Sequence, residues 1–215
     1  MQGKDKTGTV RVWDPLVRIG HWLLVAGFFV AYFTEDELLP VHVWAGYLVG
    51  AILIIRILWG FIGSDYARFS NFLYSPAASL GYLIELLRHR ARRYLGHSPA
   101  GGAMVLLLLA SLVATTWSGL MVYAYEEQAG PLVSLIAADA DAGPQLDPQT
   151  YADEDSDSAF EEQEDFWEEL HEFSANLTLF LVFLHVAGVL LASRAHRENL
   201  VGAMITGRKR PSEQH

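Results

Sequence analysis

The chain has 215 residues, of which 52% are apolar and none is cysteine, and its formal net charge is −10. The missing cysteines exclude disulfides, cysteine-held metal clusters and thioether attachment of a cofactor. The acidic balance argues against a nucleic-acid partner, and the length allows one membrane domain rather than two.

An N-terminal arm carrying Lys4, Lys6 and Arg11 leads into a first apolar stretch, Leu16–Phe33, with Arg18 and His21 near its start. No small-residue cleavage site ends that run, so a retained helix is expected rather than a signal peptide. A short acidic loop with Glu35, Asp36 and Glu37 follows. The second stretch, Val41–Ile62, has His42 at its start and Arg56 toward its end. Next, Pro76–Arg93 places Leu80, Tyr82, Leu83, Ile84, Leu86 and Leu87 ahead of a basic Arg-His-Arg-Ala-Arg-Arg run. This predicts an interfacial helix on an anionic leaflet, with roofing of a quinone pocket as a second role.

His97 lies in Gly-His-Ser-Pro-Ala-Gly-Gly, a break before the third stretch, Gly101–Tyr125. A structural turn is its expected role, with contact to a cofactor or quinone as the alternative. The loop from Glu126 to Glu169 holds 15 acidic residues and no basic one. Its Asp139–Phe160 part has the composition of a segment disordered on its own, and the residues from Phe160 onward read as a helical lead-in. His171 and His185 belong to the fourth stretch, Phe173–Ala192 and its approach, and a basic tail with Arg194, Arg197, Arg208, Lys209 and Arg210 closes the chain.

Each apolar stretch has the ~20 residues that a spanning helix needs, and none alternates with period two. The expected fold class is all-α: a four-helix transmembrane bundle with an interfacial helix between helices 2 and 3. All 15 Lys and Arg fall in the arm, the helix 2–3 connection with the end of helix 2, and the tail. A topology with both termini cytoplasmic puts every one of them inside, as the positive-inside rule requires. Residues 1–215 then form a single membrane domain, with 126–169 an acidic extracytoplasmic insert.

Ionisable side chains within spans are costly and mark function. His171 and His185 are 14 residues apart, which is ~21 Å of helix with a return to within ~40° of the same face. One helix therefore offers a ligand to each side of the bilayer. Span order matches His42 with His171 near the outer face and His21 with His185 near the inner face. Two stacked b-type haems, each held by two histidines, are the expected occupants. A transition-metal pathway is the rival reading, but the apolar cores carry no carboxylates for it. Gly27, Gly46, Gly50 and Gly188 leave room for a flat macrocycle, or simply allow close helix packing. Arg18 and Arg56 lie near the inner level, as topology charges or as partners of haem propionates. His89, His196 and His215 have polar, basic surroundings and are expected to be solvated.

Arg-Ile-Gly-His-Trp in helix 1, His-Val-Trp-Ala-Gly-Tyr and Arg-Ile-Leu-Trp-Gly-Phe-Ile-Gly in helix 2, Tyr-Leu-Gly-His-Ser-Pro-Ala-Gly-Gly before helix 3, and the spaced pair His171/His185 carry a resemblance. Over about residues 10–205 the chain resembles the bacterial cytochrome b561 superfamily, nearest the b-type cytochrome subunit of membrane-bound nickel–iron hydrogenases. That resemblance implies a di-haem electron carrier of the bacterial inner membrane, exchanging electrons between quinone and a redox partner on the outer face. The family's haem ligands fall on His21, His42, His171 and His185. The acidic insert departs from hydrogenase subunits. It suggests a docking surface for a basic soluble partner such as a c-type cytochrome, a solvated spacer, or adaptation to salt. Alternative functions are a membrane anchor in a larger redox complex and a superoxide:quinone oxidoreductase, the latter disfavoured because an acidic surface repels an anionic substrate.

Overall fold

The computed structural model describes residues 8–35, 38–134 and 154–211, with backbone only for residues 154–160. The elements run β1 (Val10–Arg11), α1 (Pro15–Phe33), α2 (Leu39–Ile62), a 3-10 turn at Phe69–Asn71, α3 (Pro76–Leu87), α4 (Pro99–Glu126), α5 (Glu154–Ala195), α6 (Leu200–Thr206) and β2 (Arg208–Lys209). Among the described residues, four helices are long and apolar enough to cross a membrane, and α3 is the short apolar helix between the second and third. The four expected spanning helices and the expected short helix between the second and third are therefore present. The stretch 139–153 of the acidic insert lies outside the described residues.

Local chemistry fixes the helix ends. Asp14 accepts the Val17 N–H at 2.9 Å ahead of Pro15. Ser75 accepts from Ala78 ahead of Pro76, and Asn199 from Gly202 at 2.7 Å. Each side-chain oxygen satisfies one of the amides that a helix start leaves without a partner, and proline at the first position forfeits no hydrogen bond. Helix α6 ends at Gly207, whose φ of +79° is the left-handed conformation that glycine adopts without strain.

The fourth spanning helix differs from expectation. It begins at Glu154 rather than near Phe160, and at 42 residues is about twice the ~20 of a crossing. Glutamate, glutamine and alanine are good helix formers, and acidic side chains near a helix start are favoured by its dipole.

The chain divides into two compact units, Met1–Ala110 with Leu179–His215, and Ser111–Thr178. In the first, α1 and α2 pack antiparallel. A Cβ on Gly27 would stand 2.9 Å from Val49, and one on Gly20 3.5 Å from Ile52. Gly27 thus serves helix contact rather than the flank of a macrocycle. The outward faces carry large apolar side chains. Ile54, Leu58, Phe61 and Ile62 of α2 are 59–77% exposed, a surface suited to lipid rather than water.

The same unit closes its basic end with a ribbon that the sequence did not signal. Val10 pairs with Lys209 and Arg11 with Arg208, antiparallel, joining the N-terminal arm to the tail. The Val12 and Trp13 amides donate to the Gly207 carbonyl at 2.9 and 3.2 Å. A Cβ at Gly207 would lie 2.6 Å from the Trp13 carbonyl oxygen, so this position demands glycine for space as well as conformation. Val12, Trp13 and Ala203 form a small core beneath the ribbon, joined by Val10, Tyr66 and Met204. In the second unit, Ser111, Thr115 and Ser118 of α4 face Ser174 and Thr178 of α5. Ser111 and Thr178 hydroxyls meet at 2.6 Å, and both side chains are buried.

Candidate haem-binding site

His21 on α1 and His185 on α5 come together in the first unit. Their ring centroids are 6.4 Å apart, with 54° between the planes. Two imidazole–metal bonds of ~2 Å, plus ~1.1 Å from each ring centre to its nitrogen, span ~6 Å. The spacing is thus what one metal held between two rings requires. Both residues are half-buried. Positions for a Cβ on Gly188, close to His185, and on Gly46 have no heavy atom within 4 Å, so small residues do leave open volume along these helices.

Buried nitrogens lie toward the same end of this unit. Arg18 Nε, His21 Nδ1, Arg56 Nη1 and His97 Nδ1 are buried without a hydrogen-bond partner. Arg18 is held by a bond from Nη1 to the Thr206 carbonyl at 3.1 Å. The Arg56 guanidinium stands 5.2 Å from the Phe69 ring centroid. A buried guanidinium nitrogen without an acceptor is expensive, and an anionic group entering from the membrane side would relieve it. Haem propionates are such groups, so the residues present fit haem b.

Asp14 organises the entry to α1. Besides capping Val17, it accepts from Trp59 Nε1 at 3.1 Å and from the Ser64 hydroxyl at 2.5 Å. Burial alone would raise its pKa, but the donors from Ser64, Val17 and Trp59 outweigh it and hold the carboxyl below its usual value.

His97 packs its ring 4.3 Å from Phe72 and 4.7 Å from Trp13. Burial first, then the nearby charges of Arg56 and Lys209, push its pKa down to about 3. It is a neutral packing residue at the foot of α4, in keeping with the expected structural role. His196 corrects an expectation. It is not a solvated tail residue, because its Nε2 lies 3.2 Å from the Tyr82 hydroxyl and ties the tail to α3. His89 is exposed as expected, and His215 lies outside the described residues.

Of the other two histidines, His42 belongs to the first compact unit and His171 to the second. His42 Nδ1 lies 3.0 Å from the Ala31 carbonyl oxygen. His171 Nδ1 lies 3.0 Å from the Thr115 carbonyl oxygen and 3.2 Å from the Ser118 hydroxyl. A carbonyl can only accept, so each Nδ1 carries the proton and Nε2 carries the lone pair that binds metal. A Cβ on Gly119 would approach the His171 ring to 2.7 Å. The third span thus supplies no histidine but holds one. This support was legible as a polar stripe, Ser111, Thr115 and Ser118 at i, i+4 and i+7, facing His171, Ser174 and Thr178. The sequence reading missed it. Among the described residues, no three His, Asp or Glu side chains gather as a site for a free metal ion.

Among the described residues, four helices long and apolar enough to cross a membrane, with histidines on three of them, define a multi-pass membrane protein. The profile of the family described as prokaryotic cytochrome b561 matches residues 12–207, and the chain belongs to that family. It is a multi-pass b-type cytochrome of the bacterial inner membrane, from a family that binds haem b. A probable Ni/Fe-hydrogenase B-type cytochrome subunit of Rhizobium leguminosarum bv. viciae is 28% identical over 121 residues, 42% of this chain and 49% of that protein. The chain thus aligns with about half the length of that curated relative. No solved structure matches.

Proposed function

We propose that the protein holds two haems b and carries electrons across the membrane between the quinone pool and a redox partner on the outer face. His21 and His185 hold the inner haem, and His42 and His171 the outer one. The observation that carries this reading is the His21–His185 pair, at the spacing of one shared metal and toward the end that holds the buried donors of Arg18 and Arg56. The outer pairing rests on span order and on matching Nδ1–carbonyl bonds. The distribution of Lys and Arg supports a topology with both termini on the cytoplasmic side.

Haem b, when bound, supplies reversible one-electron chemistry. The residues do the rest. His21 with His185 and His42 with His171 would hold the group through imidazole nitrogens, and haem so held would supply electron transfer rather than oxygen activation. The Ala31 and Thr115 carbonyls fix the tautomer and raise the basicity of His42 and His171. Arg18 and Arg56 neutralise propionates by charge-assisted hydrogen bonds. Exposed Glu161, Glu162, Asp165, Glu168 and Glu169 on α5 give the outer partner an acidic landing surface.

Assembly with a hydrogenase-like complex is a second reading of that partner, favoured by the description of the Rhizobium relative as a subunit. Pyridine haemochrome quantification of the purified protein tests the proposal. Two haems b per chain are expected, and one haem, or none after expression with ample haem, overturns it.

A further inference from the structure

Helix α4 carries no histidine, but two of its oxygens reach one. The Thr115 carbonyl lies 3.0 Å from His171 Nδ1 and the Ser118 hydroxyl 3.2 Å. Gly119 permits the approach. A Cβ there would stand 2.7 Å from His171 Cε1 and 3.1 Å from Nδ1, so a larger residue would hold α4 off the ring. Ser118 is wholly buried, and a hydrogen bond shielded from water is electrostatically stronger than one in it.

The hydroxyl proton decides what Ser118 does. His171 Nδ1 carries a proton, because the nearer oxygen is a carbonyl and can only accept. Ser118 therefore does not donate to it. Its hydroxyl donates along its own helix instead, to the Ala114 carbonyl at 2.8 Å, with that of Thr115 at 3.1 Å, the back-bond that serine makes inside helices. The Ser174 hydroxyl beside it is committed to the His171 carbonyl at 3.0 Å. Ser118 Oγ is left with lone pairs toward the Nδ1 proton, as its second acceptor. Buried hydroxyls between membrane helices commonly serve packing alone, but this one touches the N–H of a candidate ligand. His21 lacks the device, since its Nδ1 is buried without a hydrogen-bond partner.

An acceptor on the N–H of a ligating imidazole makes the metal-bound nitrogen more basic. A more basic ligand favours ferric over ferrous iron, and hydrogen bonding around the ligand is one of the protein's levers on haem potential. We propose that Ser118 is a positioning residue that lowers the reduction potential of the haem held by His171, which rests on His171 being a haem ligand.

The test is a spectroscopic redox titration of the purified, haem-loaded full-length protein. Ser118→Ala should move the ferric–ferrous equilibrium of one component about fivefold toward ferrous, the equivalent of one hydrogen bond. At ~59 mV per decade for one electron, that is a rise of ~40 mV. The component that moves should be the one that His171→Ala removes, and the other should stay where it is. Ser118→Thr keeps the hydroxyl in the arrangement that Thr115 already adopts, with Oγ1 donating to the Ser111 carbonyl at 2.9 Å, and should recover most of the native potential. Thr178→Val cuts the buried Ser111–Thr178 bond of 2.6 Å, which is not made to the ring, and should move neither component. An equal rise in both components of Ser118→Ala, an equal rise in Thr178→Val, or no recovery in Ser118→Thr with native haem content would each overturn the inference. If His171→Ala removes a component that Ser118→Ala leaves unmoved or lowers, the role of Ser118 alone fails. If His171→Ala removes none, the haem assignment fails and takes this role with it.

Discussion

Replacing Arg93 by Ala tests what holds the tail to the rest of the first unit. The Glu198 side chain is 6% exposed and that of Arg93 23%. The guanidinium also donates to the Pro211 carbonyl at 3.1 Å and to the Arg210 carbonyl at 2.6 Å. Removing one partner of a buried pair costs ~3–5 kcal/mol, chiefly because the other charge is left uncompensated. Arg93 reaches the surface, so water can enter its place, and the lower end, ~3 kcal/mol, is expected. The loss should appear as local opening of the ribbon rather than global unfolding, since few buried contacts hold this end. At ~1.4 kcal/mol per decade, amide hydrogens of Val12 and Trp13 should exchange about a hundredfold faster. The dependence on pH should weaken. In the native chain, burial raises the Glu198 pKa, but the bonds from Arg93, the Lys209 charge and the Arg210 backbone together outweigh it, so it sits below its ordinary 4.5. Its stabilisation is complete above that ordinary value and is lost as pH falls through the lower folded value. Without Arg93, burial is opposed only by the Lys209 charge and the Arg210 backbone, so the carboxyl pKa rises relative to the native chain and less protection should be lost on acidification. Exchange accelerated less than threefold, or an unchanged pH trend in Arg93→Ala, would refute the argument.

His21→Ala and His185→Ala should each abolish the same haem component in a redox titration, and His42→Ala and His171→Ala the other; loss of one component by both His42→Ala and His185→Ala would break the pairing. Thr178→Val removes the partner of the buried Ser111 hydroxyl and should cost ~1–3 kcal/mol in a reversible detergent-denaturation titration, with haem content unchanged in the folded fraction. Neutralising Glu161, Glu162, Asp165 and Glu168 together should flatten the salt dependence of stopped-flow oxidation by a basic c-type cytochrome, because exposed charges are screened within ~8 Å at physiological ionic strength. Equal rates at low salt for the neutralised and native chains would reduce the acidic segment to a spacer.

The spans were legible because a bilayer imposes a length and a polarity that any reader of the chain can count. Four apolar runs of about 20 residues cannot be satisfied otherwise, and the histidines stood out because imidazole within such runs is rare. The asymmetry of Lys and Arg gave an orientation for the same reason. What the sequence could not reveal depends on distant segments meeting. The two-residue strands have no periodicity, and Val10–Arg11 pairs with Arg208–Lys209 only once the helices bring both ends of the chain together. His196 read as solvated until Tyr82, 114 residues earlier, met its ring. Gly27 offered room on paper, but the side chain of Val49 occupies it. The carbonyls of Ala31 and Thr115 that set the tautomers of His42 and His171 carry no sequence signature, since every residue has one. Which carbonyl reaches which ring is decided by packing alone.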